Sequence, residues 1–166
     1  MNQRTFNSAL LLGVTTGLRS MMAPALLSLS AQQPGADRHW LLASPKTARW
    51  LTTMAAGELV FDKLPFAPSR ISPASLSARL LIGAMCGAAV SRDDEAGGAL
   101  LGIAGALVSS FAGYWIRKGV DRVSGIPDAL VGLMEDGVAI GTGLAATSTR
   151  REEAESVVRR PRSRVA

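Results

Sequence analysis

Long apolar stretches separated by short polar breaks run along this chain. The first stretch, from about Phe6 to Leu29, is interrupted by one charge, Arg19. At about 1.5 Å of rise per residue it is long enough to cross a bilayer. Pro24 is expected to kink this helix or to end its regular part. A polar loop follows, from Ser30 to Thr47, holding Gln32, Gln33, Pro34, Gly35 and Asp37. The second helix, about Ala48 to Leu64, is short and carries Glu58 and Asp62. Trp50 and Phe61 lie near its two ends, as interfacial anchors do. It reads either as a span or as a half-helix lying partly in the membrane plane.

The connection from Pro65 through Pro68 and Arg70 to Pro73 is too rich in proline for a continuous helix. Ser72-Pro73 then supplies a start signal, Ser as N-cap and Pro at the first helical position. The third helix runs from there to about Val90, and Arg92-Asp93-Asp94-Glu95 makes a tight polar break. The fourth, about Ala96 to Ile116, is free of charge until Arg117-Lys118, and Tyr114 and Trp115 mark an interface. The fifth, about Asp128 to Ala146, contains Glu135-Asp136. The pattern predicts an all-α integral membrane bundle of about five helices: a polytopic domain over 1–148, then an Arg-rich, disordered tail over 149–166.

Composition supports the membrane reading. Glycine (17) and alanine are plentiful while aromatics make up 5%, a balance suited to helices whose backbones approach closely in lipid. The pairs Gly13/Gly17, Gly83/Gly87, Gly98/Gly102 and Gly137/Gly141 each put two glycines on one helix face. Four such pairs argue for a tightly packed bundle, with one of them serving a homo-oligomer contact. The net charge of +5 owes much to Arg150, Arg151, Arg159, Arg160, Arg162 and Arg164, so it marks a tail and not a nucleic-acid groove. Placing that tail inside the cell gives the inner segments a small excess of Lys and Arg, in keeping with the positive-inside rule. The N-terminal stretch reads as a retained first helix, because Arg19 and Pro24 interrupt what would be the apolar core of a signal peptide.

The charges inside apolar segments are the candidate chemistry. A charge at membrane depth costs roughly 2.5–3.5 kcal/mol on insertion scales unless it is paired or hydrated. Arg19 lies near mid-span; Glu58 and Asp62, four apart, share one face; Arg79, Glu135 and Asp136 sit within the first turns of their helices. In an alternating five-span topology Glu58, Asp62, Arg79, Arg117, Glu135 and Asp136 gather in one half of the membrane, with Arg19 beneath them. Two readings stand about level. In one the charges are ion pairs that fix helix register. In the other the acids line a site for a cation, a proton or a polar solute, a view slightly favoured by counting four acids against the two arginines Arg19 and Arg79. Helices one and two, and four and five, each pair a Gly-rich helix with an acid-bearing one, which raises an inverted repeat of the kind common in transporters.

Enzymatic readings fare poorly. Cys86, the single cysteine, has no basic partner nearby in sequence, and the single histidine, His39, reads as an interfacial loop residue beside Trp40. No phosphate-binding Gly-x-x-x-x-Gly-Lys-[Ser/Thr] run occurs. The sequence calls for no cofactor and names no metal, and its expected partners are the bilayer, a second copy of itself and an unidentified small solute or ion.

Several of these stretches also occur together in a known group. Gly17-Leu-Arg19-Ser-Met-Met-Ala-Pro24, Gly57-Glu58-Leu-Val-Phe-Asp62-Lys63-Leu-Pro65 with Pro68-Ser-Arg70 and Pro73 following, Arg79-Leu-Leu-Ile-Gly83-Ala, and Glu135-Asp136 resemble the bacterial integral-membrane family designated domain of unknown function 4126. The Glu-x-x-x-Asp-Lys-x-Pro stretch is the most specific part, and the likeness covers nearly the whole chain except the Arg-rich tail. It implies a multi-pass protein of the bacterial inner membrane. It draws attention to Arg19, Glu58, Asp62, Lys63, Arg70, Arg79, Glu135 and Asp136 but brings no substrate or reaction.

Overall fold

The computed structural model describes residues 1–32, 43–61, 72–123 and 128–159, with side chains described to residue 120 in the fifth helix and over 130–148 in the sixth. Six helices follow one another: α1 Gln3–Leu18, α2 Met22–Ser30, α3 Pro45–Phe61, α4 Pro73–Val90, α5 Glu95–Val123 and α6 Asp128–Arg159. No strand occurs among the described residues.

The count exceeds five because the first apolar stretch is two helices. The break falls at Arg19-Ser20-Met21, not at Pro24. Asn2 caps the start of α1, its side chain accepting from the Thr5 N–H at 2.7 Å. Arg19 ends the helix in an extended conformation, φ −142° and ψ 109°. Pro24 is the third residue of α2, within the first turn, where a missing N–H costs no helical hydrogen bond.

Other boundaries move for equally local reasons. α4 begins at Pro73 as the start signal predicts, although the Ser72 side chain makes no capping bond. Asp94 caps α5, its carboxylate accepting from the Gly97 N–H at 2.9 Å. α5 runs past Arg117-Lys118 because basic residues end an apolar span without ending a helix; both are good helix formers. The Lys118 ammonium lies over the Tyr114 and Trp115 rings, 5.6 and 5.3 Å from their centroids. α6 likewise continues as helix into the Arg-rich segment, to Arg159.

α1 occupies the centre, packed against α4, α5 and α6, with α4 also lying along α5; α3 packs chiefly on α2. Glycines make the central seam. A Cβ on Gly83 would stand 2.7 Å from the Gly102 carbonyl oxygen, and one on Gly105 would stand 2.5 Å from that of Leu10. Gly13 faces Gly102, and Gly87 faces Gly98, just as closely. The pair Gly137/Gly141 differs, with nothing within 4 Å of either added Cβ.

The distribution of polarity is inverted relative to a water-soluble domain. Arg19, Thr15, Thr16, Ser28 and Ser110 are among the largest fully buried side chains, whereas Leu81, Leu100, Val108 and Met134 are 66–73% exposed. Among the described residues, three stretches are long and apolar enough to cross a membrane: Pro73–Val90, Glu95–Val120 and Leu130–Ser148. Only 28–33% of each is buried in the protein, so most of their apolar surface faces outward.

Candidate functional site

The break in the first apolar stretch organises the site. In a continuous helix the Ser20 and Met21 N–H groups would donate to the Thr16 and Gly17 carbonyls, four residues back. Here both donate instead to the Glu58 carboxylate of α3, to its Oε1 and Oε2, at 2.8 Å each. The carbonyls left over at the end of α1 are taken by Arg79 of α4, whose Nη1 donates to Gly17 O at 2.5 Å and Leu18 O at 3.1 Å. Ser110 of α5 adds a hydroxyl bond to Gly17 O at 3.2 Å. An anion therefore caps the N-terminus of α2 and a cation caps the C-terminus of α1, each matched to its helix dipole. Glu58 and Arg79 also face each other, Oε1 to Nη2 at 3.9 Å.

Arg19, at the break itself, turns inward and is 1% exposed. Its Nε donates to Asp136 Oδ1 of α6 at 2.6 Å, and its Nη2 lies on the same oxygen. Adjacent on α6, Glu135 turns to a different neighbour. Its Oε2 accepts from Arg117 Nη2 of α5 at 2.7 Å. Consecutive acids thus tie α6 to two helices, a useful arrangement because α5 and α6 otherwise touch little. Hydroxyls extend the polar interior: Thr15 and Thr142 meet at 2.9 Å, and Ser8 donates to the Ala146 carbonyl at 3.1 Å.

Of the residues singled out from the sequence, Arg19, Glu58, Arg79, Glu135 and Asp136 meet in this network. Asp62, Lys63, Pro65, Pro68 and Arg70 lie outside the described residues. The charge count changes. Arg117, expected in the same half of the membrane but left out of the two-arginine count, pairs with Glu135, so three arginines stand with Glu58, Glu135 and Asp136 among the described residues. α5 is unbroken and has no counterpart to the Arg19–Met21 break, as an inverted repeat of α1–α3 would place one.

Sequence reasoning missed the backbone groups at Gly17, Leu18, Ser20 and Met21, and the hydroxyl of Ser110. Pro24 carried a signal for them, since a proline tolerated in a first turn marks a helix beginning two or three residues earlier. Among the described residues no group of three or more His, Cys, Asp or Glu side chains is placed to hold a metal ion.

Fold and site together define an all-helical bundle with an apolar exterior and an ion-paired interior, the build of an integral membrane protein. Compared with family models, curated proteins and solved structures, the chain matches none of them.

Proposed function

We propose that the protein is a small transporter or channel-like protein of the bacterial inner membrane. A proton, a cation or a polar solute passes at the break between α1 and α2, beside Arg19, Glu58, Arg79, Glu135 and Asp136. The observation that carries this reading is the interrupted helix. Irregular backbone at membrane depth leaves costly polar groups, and an uninterrupted helix would have been the cheaper way to build a purely structural bundle. Membrane transporters use broken helices of this kind to present backbone groups and charges near the midplane. The bacterial inner membrane comes from the family resemblance, and the outward-facing Gly137/Gly141 pair supports a contact between two copies.

A second reading has its own support. Each carboxylate of the network faces an arginine, as it would in a scaffold or assembly protein whose charges only hold helices in register. Purified protein in sealed vesicles separates the two. Proton, potassium and chloride flux is measured for the wild type and for Glu135→Gln and Asp136→Asn, alongside thermal unfolding in detergent. Transport predicts flux above protein-free vesicles that the variants lose while remaining folded. Absence of flux for all three ions, with variants that simply unfold earlier, would favour the scaffold.

A further inference from the structure

We propose that α3 is a latch, and that Glu58 is the catch by which it holds the first apolar stretch broken. The backbone bond that a continuous helix would form between Met21 N–H and Gly17 O is divided between two side chains. Glu58 takes the donor and Arg79 takes the acceptor. The two arrangements compete for the same backbone groups, which is the condition for a two-state element. With Glu58 seated, the stretch is α1 and α2 with an extended turn between them; with Glu58 withdrawn, the Ser20 and Met21 N–H groups are released to compete for the carbonyls one turn back, Met21 against Arg79 and Ser110 for Gly17 O.

α3 is built to move as the latch requires. It packs chiefly on α2, and only Ala48 and Ala55 of its residues are buried. Among its described residues, Glu58 is the one side chain bonded outside its own helix; Thr52 and Thr53 bond back to Ala48 O and Arg49 O. Arg79, by contrast, is 3% exposed on a helix held along α5 by the glycine seam. The acceptor side of the divided bond therefore stays with the rigid part of the bundle, and the donor side depends on the loosely held helix.

The latch is independent of what, if anything, the protein carries, and its test needs no flux. Ala55→Cys places a thiol on the buried face of α3, one turn before Glu58, while native Cys86, 2% exposed in α4, reports on the bundle in the same molecule. Maleimide modification of both thiols is followed in detergent by peptide mass spectrometry, with and without Glu58→Gln. Loss of a charge-assisted contact to two N–H groups predicts labelling at position 55 faster by about tenfold, with Cys86 still protected. Unchanged labelling at position 55 would overturn the proposal, as would Cys86 opening in step with it. Amide exchange on the unmutated chain gives a second check: Ser20, Met21 and α3 exchange together and faster than α4 and α5. Protection of α3 equal to that of α4 would contradict the latch.

Discussion

Two halves of this bundle are held by different physics. Where α1, α4 and α5 meet, the contacts are backbone on backbone, with Gly13, Gly83, Gly87, Gly98, Gly102 and Gly105 removing the side chains that would keep the helices apart. Around the end of α1, charge is added to the packing: Glu58 ties α3 to the start of α2, Asp136 holds Arg19, and Glu135 holds Arg117. The seam tolerates no added volume, and a charge enters it only at its end, where Arg79 of α4 holds the α1 carbonyls. The charged end tolerates volume better than it tolerates the loss of one partner. In lipid this division has a reason, because apolar side chains gain nothing by leaving lipid for protein; close packing and paired polar groups must supply the association.

The largest effect should come from filling the seam. Gly102 touches α4 and α1 together, and its added Cβ would meet the Gly83 carbonyl. Gly102→Val is expected to abolish the folded bundle, seen as loss of a monodisperse peak in size-exclusion chromatography. A variant as well behaved as the wild type would show that α4 and α5 are less tightly packed than described. Next comes the charged end. Arg79→Leu removes the cation that caps α1 and leaves Glu58 facing one partner fewer, so a loss of about 3–5 kcal/mol is expected in detergent unfolding. Glu135→Gln should cost less, roughly 1–2 kcal/mol, because Arg117 is a quarter exposed and can turn outward. The smallest effect belongs to the glycine pair outside the seam. Gly137→Ala meets nothing within 4 Å and, by replacing a glycine inside α6, should stabilise the monomer by about 0.5–1 kcal/mol. If that face joins two copies, the same substitution weakens self-association measured by analytical ultracentrifugation.

Much of the fold was legible because apolar length and polar punctuation suffice to place α4, α5 and the start of α6. The number of helices was not. Arg19 looked like a single charge tolerated in a span, whereas it sits where the helix stops, and the partners that make stopping affordable come from α3 and α4. Pro24 marked a helix start nearby, but no local pattern announces which distant side chains cap the break. Helix ends near Arg117 and Thr147 were placed early because charge marks where the apolar environment ends, while backbone hydrogen bonding continues through good helix formers. Within the charged network the sequence pointed to the acids and to Arg19, Arg79 and Arg117. It did not reveal that adjacent Glu135 and Asp136 serve different helices, since neighbours on a helix diverge by about 100° and their partners depend on what lies on each side.

The charged end of the bundle is closed on itself around the break, and a double-mutant cycle on Arg19 and Asp136 tests that most directly. Arg19→Met and Asp136→Leu are compared singly and together by chemical unfolding in detergent. Each single change should cost about 3–5 kcal/mol by removing one member of a buried ion pair, and the double should cost less than their sum by at least about 2 kcal/mol. Additive losses would mean that the two residues do not hold each other, and would contradict the account.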